Sequence, residues 1–277
     1  MPELPEVELV AKSLDRLVSK RRIVKAELLR EKLAPLNPPA EFTAGISNTT
    51  IETVGRRGKH VLFYFDCERI LLTHLRMTGR FLLLPNEREL PKHSHAVFYF
   101  ADKEKLVFQD QRHFGMMKLV ESAQLSETKE LKCLAPEPLS GEFSFSYLQH
   151  ALSNSKRSLK EFLIDQTKVC GLGNIYAAEV LFLASINPQT SANQISAKRA
   201  KKLYEAIRFV LSESINHGST MNVNPENIDG SYYGGNYEGH WRVYAQAGKP
   251  CPSCRTLIER IVQSSRSTFF CPKCQRK

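Results

Sequence analysis

Thr167-Lys168-Val169-Cys170-Gly171-Leu172-Gly173-Asn174 joins two stretches of helical periodicity, Leu159 to Gln166 and Ile175 to Leu183. Gly171 and Gly173 permit a tight turn whose backbone can approach a ligand closely, and Asn174 is placed to cap the second helix. A helix start of this kind attracts phosphate, and Lys156, Arg157, Lys160 and Lys168 stand around it in the sequence. A dinucleotide-binding fold is one alternative for Gly-x-Gly, but no strand precedes the motif and no third glycine follows at the required place. A plain helix-turn-helix hairpin is the other, and the four cations weigh against it.

Two further helical stretches flank this pair, Phe145 to Leu152 and Ala197 to Asn216, with apolar residues spaced by three and four. Downstream come Cys251-Pro-Ser-Cys254 and Cys271-Pro-Lys-Cys274, with sixteen residues between the two motifs. Each Cys-x-x-Cys can grip one edge of a tetrahedral zinc, and four thiolates leave no open position for substrate. One structural Zn2+ is therefore expected, with a redox pair as the weaker reading. Between the motifs, Ile258, Ile261 and Val262 precede Arg266-Ser-Thr-Phe-Phe270, which reads as a β-hairpin. Arg266 sits where it could grip a phosphate or simply be solvated.

Upstream the period changes to two. Residues 23 to 120 hold short runs rich in β-branched and aromatic residues: Val61 to Phe65, Ile70 to Leu72, Ala96 to Phe100, Lys105 to Phe108 and Met116 to Val120. Charged or glycine-containing turns separate them, so this half is expected to be an antiparallel sheet or sandwich. Leu134 to Gly141, with Pro136 and Pro138, reads as a linker. The expected fold class is α+β in two domains. An N-terminal antiparallel β-sandwich with an N-terminal helix is followed by a helical domain bearing the four-cysteine hairpin. The boundaries fall at 1–133, a linker at 134–141, the helical part at 142–240 and the zinc-binding part at 241–277. No internal repeat or low-complexity tract interrupts this plan.

The composition narrows the partner. In 277 residues, 39 Lys+Arg face 29 Asp+Glu, a formal net charge of +10 that favours a polyanion. A hydrophobic share of 42% is enough for two real cores. No run approaches a membrane span and the N-terminus lacks a signal-peptide pattern, so a cytoplasmic protein with no membrane partner is expected. Cysteine usage agrees: beside the four paired cysteines, Cys67, Cys133 and Cys170 are scattered as reduced, mostly buried thiols would be.

The chain opens Met1-Pro2-Glu3-Leu4-Pro5-Glu6. Removal of Met1 would expose Pro2 as a secondary amine. An α-amino group titrates near ~8, so roughly a tenth would be unprotonated at neutral pH, with Glu3 beside it to handle protons. Alternatively the hexapeptide is only a helix start, since Pro and Glu suit a first turn. A basic turn, Gly55-Arg-Arg-Gly-Lys-His60, would push Arg57 and Lys59 out at a solvated loop tip. In Thr73-His-Leu-Arg-Met-Thr-Gly-Arg80 and Asp110-Gln-Arg-His-Phe-Gly115, Met77 and Phe114 fall at basic loop tips. Such side chains suit insertion into a base stack, unless each packs inside the protein.

Taken together, these blocks resemble the formamidopyrimidine-DNA glycosylases, the helix–two-turn–helix (H2TH) base-excision repair enzymes, over essentially the full length. The resemblance rests on Pro2-Glu-Leu-Pro-Glu6, Arg56-Arg-Gly-Lys59, His74-Leu-Arg-Met77, Gln111-Arg-His-Phe-Gly115, Gly171-Leu-Gly-Asn-Ile-Tyr-Ala177 and the four cysteines with Arg266-Ser-Thr268. It implies a β-sandwich, an H2TH domain with a zinc finger, and damaged double-stranded DNA bound by a monomer in the cleft between them. Pro2 would attack C1′ of a flipped nucleotide, expel an oxidised purine, form a Schiff base and cut the strand by β- and δ-elimination. Glu3 would be the acid/base partner, assisted by Lys59, with Glu6 supporting the active site. Met77, Arg112 and Phe114 match a void-filling trio, Arg112 facing the orphaned cytosine. His74, Asn174 and Arg266 match phosphate contacts, and Lys160 matches a lysine near the lesion pocket.

The chain departs from the family most at His217 to Gly239, where the lesion-recognition loop is expected but does not read like the usual one. Ser265 stands where glycine often precedes the finger arginine, and Thr78 follows the wedge methionine. Two alternatives remain: an endonuclease VIII-like enzyme for oxidised pyrimidines, and a DNA-binding protein that has lost catalysis. The Leu4-Pro5 start with Met77, Arg112 and Phe114 argues against the first. Intact Pro2, Glu3 and Lys59 argue against the second.

Overall fold

The computed structural model describes residues 1–220, 224–226 and 239–276. These form two compact units. The first comprises Met1–Lys132 with residues 220 and 224–226, and the second comprises Cys133–Ser219 with 239–276.

The first unit begins with α1 (Leu4–Val18), which Pro5 and Glu6 suit to a first turn and whose Val7, Val10, Ala11, Leu14 and Val18 form one buried face. Eight strands follow: β1 (Ile23–Leu28), then after α2 (Pro39–Ile46) β2 (Ile51–Arg57), β3 (His60–Phe65), β4 (Arg69–His74), β5 (Arg80–Pro85), β6 (Ser94–Phe100), β7 (Glu104–Gln109) and β8 (Met116–Glu121). They make two antiparallel four-stranded sheets, ordered β1-β6-β7-β5 and β2-β3-β4-β8. One apolar core takes Phe42 of α2, Phe98 and Phe108 from the first sheet and Val61, Phe63 and Leu71 from the second, so the sheets and both helices share it. Phe63, Phe81 and Phe108 stack edge to face through it at 5.3 and 5.2 Å. That aromatic column ends beneath the β4–β5 and β7–β8 loops. The expected strands all form, and β1, β2, β5 and α2 add to them.

The second unit contains α3 (Phe145–Ser153), α4 (Leu159–Ile164), α5 (Asn174–Leu183), α6 (Ala197–Asn216) and a hairpin of β9 (Glu259–Gln263) and β10 (Arg266–Phe270). Tyr176 is fully buried between α5 and α6, and its hydroxyl meets Ser214 Oγ at 2.6 Å. The proline-bearing segment read as a linker folds onto this unit. Ala135 N–H donates to the Gln166 carbonyl at 2.9 Å, and the Arg208 guanidinium donates to the Pro138 and Ser140 carbonyls at 2.7 and 3.1 Å. Prolines suit such a path because the carbonyls, which proline keeps, are the groups used. Of the three scattered cysteines only Cys170 is buried, so the expectation of buried thiols fails at Cys67 and Cys133. Both occupy connecting segments, which run at the surface.

Candidate functional site

The start of α1 is sunk into the first unit. Pro2 is buried and Glu3, its N-cap, is 2% exposed. Glu6 is completely buried, and its carboxylate accepts from Glu3 and Thr220. Oε2 accepts the Glu3 N–H at 2.9 Å, while Oε1 accepts the Thr220 N–H at 3.2 Å and the Thr220 hydroxyl at 2.8 Å. One carboxylate therefore holds both the backbone behind Pro2 and the first turn after α6. The Met1 α-amino group is held below its usual value near 8. Burial is the main cause, the positive charges of Lys59 and Arg112 add to it, and Glu3 and Glu6 oppose it.

Lys59 departs from the sequence expectation. The β2–β3 turn has only two residues, with Gly58 at φ +58° as such hairpins require at their first central position. Lys59 is only 6% exposed rather than a solvated tip. The turn is folded back by Arg56, whose guanidinium pairs with Glu8 of α1 at 2.8 Å and donates to the Gly58 carbonyl at 2.9 Å. His60 and His74 lie beside it, ring against ring at 4.7 Å. Burial depresses their pKa values to about 4 and about 2, so both are neutral at physiological pH. His74 Nδ1 accepts the Arg76 N–H at 2.9 Å, which leaves the ring proton on Nε2 as an uncharged donor.

The wedge candidates are brought together. Register pairs His74 with Met116 and Arg80 with Gln109, so the loops joining β4 to β5 and β7 to β8 leave from matched strand ends. Arg112 Nη1 stands 3.0 Å from Met77 Sδ, and the Arg112 guanidinium lies 5.2 Å from the Phe114 ring centre. Phe114 is 55% exposed, which excludes internal packing as its role. Gly79 and Gly115 close the loops against Phe108: a Cβ would meet its ring at 2.8 Å from either position. Gly115→Ala is expected to lower stability by about 1–3 kcal/mol through overpacking, because the Phe108 ring is wholly buried and has nowhere to move. A denaturant titration unchanged from the parent would contradict this packing. Sequence reasoning passed over Asp110, whose signal is its position two residues ahead of Arg112 at a strand end, where Asp organises turns.

In the second unit, the turn before α5 is built by side chains also passed over. Gln166 donates to the Ile164 and Leu172 carbonyls at 2.9 and 2.8 Å and accepts the Gly171 N–H at 2.9 Å. Asp165 accepts the Thr167 N–H at 3.0 Å, an Asp-x-Thr turn legible in sequence. Gly171 takes φ +84°. Asn174 is not the cap it was expected to be. Gly173 is the N-cap, and Asn174 opens the helix with its amide donating to the Ser267 carbonyl at 2.9 Å. Asn174 is thus tied to β10 one residue from Arg266, which is exposed. The Ser264 hydroxyl of the β9–β10 turn in turn bonds Glu161 of α4. Lys160 differs again: it is 1% exposed, inside the unit rather than on its surface.

The four cysteine sulfurs lie within 4.8 Å of one another, with Cys251–Cys274 at 3.9 Å and Cys254–Cys271 at 3.5 Å. Metal–sulfur bonds of about 2.3 Å in a tetrahedron require edges of about 3.8 Å, so the donors fit a single Zn2+. The cluster packs on Ala178 and Phe182 of α5. Glu179, fully buried, accepts the N–H groups of Arg242, Val243 and Tyr244 at 2.8–2.9 Å where the chain enters this module.

Three known domains match in the same order. Residues 1–117 match the formamidopyrimidine-DNA glycosylase N-terminal domain, residues 134–224 its H2TH domain, and residues 248–276 the zinc finger found in FPG and IleRS. Formamidopyrimidine-DNA glycosylases of Lactobacillus gasseri and Chloroflexus aggregans are 39% and 41% identical over 276 residues, covering 99% of this chain and 99% and 98% of theirs. The chain belongs to the formamidopyrimidine-DNA glycosylase family. Among solved glycosylases of the family, Lactococcus lactis Fpg bound to abasic-site DNA matches with TM-score 0.92 and 31% identity, covering 99% of this chain and all of that one. The same enzyme bound to FAPY-dG DNA matches as well, with the same score and coverage. Most of the atypical 217–239 segment lies outside the described residues, and no helix among those described is long and apolar enough to cross a membrane.

Proposed function

We propose that this family member excises oxidised bases from duplex DNA through Pro2 and then cleaves the strand. The observation that carries the reading is the buried α1 start, where burial holds the Met1 α-amino group below its usual value beside Glu3 and Lys59. With Met1 attached, the Pro2 nitrogen belongs to an amide and has no basic lone pair, so the reading requires its removal. The freed amine meets the same burial and the same cations, which raises the unprotonated fraction at neutral pH.

Its lone pair bonds C1′ as the glycosidic bond breaks, the base leaving with that electron pair and a proton from an acid. Opening of the C1′–O4′ bond then gives the iminium, with Glu3 placed to exchange the proton at O4′. The iminium acidifies C2′, and loss of that proton expels the 3′ phosphate; a second elimination expels the 5′ phosphate. Lys59 supplies positive charge near these leaving groups. His74, the Asn174 amide and Arg266 would hold the backbone, while Met77, Arg112 and Phe114 fill the space left by the extruded nucleotide. An amide nitrogen has two N–H groups, so the one given to Ser267 leaves one for a phosphate. The burial of Lys160 within the second unit favours a supporting role over an exposed contact. The protein would act as a monomer in the cytoplasm, on nucleoid DNA.

Borohydride should fix the protein to a duplex carrying a damaged base, and peptide mapping should find the adduct on Pro2. An undiminished adduct after chemical blocking of the N-terminus would refute the assignment. A panel of 8-oxoguanine, formamidopyrimidine, thymine glycol and abasic duplexes ranks the substrates. Pyrimidine lesions belong in it because the similar Lactococcus lactis enzyme has been solved with an oxidized pyrimidine containing DNA.

A further inference from the structure

We propose that Asp110 and Thr78 form a clamp that sets the opposite-base preference by fixing Met77, Arg112 and Phe114 as one rigid wedge. The proposal rests on the void-filling reading of those three residues. Asp110 is completely buried, yet it sits directly beneath two exposed loop tips. Its Oδ1 accepts the Thr78 hydroxyl and, at 3.2 Å, the Arg112 N–H. Its Oδ2 accepts the Gly115 N–H at 2.7 Å. Thr78 Oγ1 itself accepts the Arg112 N–H at 3.1 Å. One hydroxyl and one carboxylate thus join the residue after Met77 to the backbone of Arg112 and to the residue after Phe114.

The clamp is itself held. Asp110 N–H donates to the His93 carbonyl at 3.0 Å, and its own carbonyl meets His95 Nε2 at 2.8 Å. His113 Nδ1 lies 3.0 Å from that same His95 nitrogen. A buried carboxylate loses more by being left without donors than an exposed one, so the loops are strongly disfavoured from moving apart. The functional consequence follows from geometry. An arginine reads one base over another only if its guanidinium arrives at a fixed height and angle, and here its backbone N–H is shared between Thr78 and Asp110. Thr78 and Asp110 touch no substrate in this proposal; they are positioning residues.

The test compares kcat/KM for excision of one lesion opposite each of the four bases. Thr78→Val keeps the shape but removes the hydroxyl, and the preference for cytosine should fall about tenfold, the scale of one lost hydrogen bond to a charged group. Thr78→Ser restores the hydroxyl and should restore the preference, with the thermal midpoint of all variants followed in parallel. Asp110→Asn, which keeps the size but converts one acceptor into a donor, should lose the preference as Thr78→Val does. If Thr78→Val keeps full preference while Arg112→Ala loses it, the clamp is overturned and the wedge reading stands. Loss in Thr78→Ser equal to that in Thr78→Val also overturns it, because the hydroxyl would then not be the operative group. If Arg112→Ala itself keeps the preference, the void-filling reading fails and takes the clamp with it.

Discussion

Glu3→Gln should lower base excision by about 100- to 10,000-fold, the contribution of one positioned proton-transfer group, while affinity for a damaged duplex changes only a few-fold. The substitution is chosen for its shape. Glutamine fills the same 2%-exposed position and keeps a carbonyl acceptor at the helix N-cap, so α1 should start where it does now. What disappears is the ability to give and take a proton beside Pro2. Excision is measured under single turnover and binding by titration of a labelled duplex. Equal loss in both would mean that Glu3 holds the fold, and unchanged excision would remove it from the chemistry.

Removal of the metal should have a comparably large effect by a different route. Structural zinc in small cysteine modules contributes on the order of 10–16 kcal/mol of apparent binding free energy, far more than a two-stranded hairpin has on its own. Cys271→Ser, or exhaustive chelation, should therefore release β9 and β10, and with them Arg266 and the Ser267 carbonyl that Asn174 grips. DNA affinity should fall at least tenfold, since charge-assisted contacts of about 1.5–3 kcal/mol each would be lost. Excision should fall with it. Elemental analysis should give one zinc per chain, and active protein with none would sink the assignment.

The parts of this molecule that could be read from sequence are those whose chemistry is local. Val61 to Phe65 announces a strand because its residues suit only a pleated, buried surface, and the 16-residue separation of the cysteine pairs implies one tetrahedron. β2 was not read, because Gly55, Arg56 and Arg57 dilute its β signal, and α2 is too short to show a period. The candidate site could be named from sequence as a set of residues but not as an arrangement. Met77 and Arg112 meet only because β5 pairs with β7 and β4 with β8, a fact of topology. The burial of Lys59 depends on Arg56 reaching Glu8, 48 positions away. Asn174 was read as a cap because its sequence neighbours suggest one, whereas its partner lies 93 positions off in β10. Long-range partners decide all three, and no local pattern encodes them.

The two buried carboxylates Glu6 and Glu179 have a consequence for how this protein can change. Glu6 fastens Thr220 in the first unit, and Glu179 fastens the backbone of Arg242, Val243 and Tyr244 in the second. Both are fully buried, so any change that removes their donors strands an acceptor that water cannot reach, and the groups facing them are expected to tolerate substitution least.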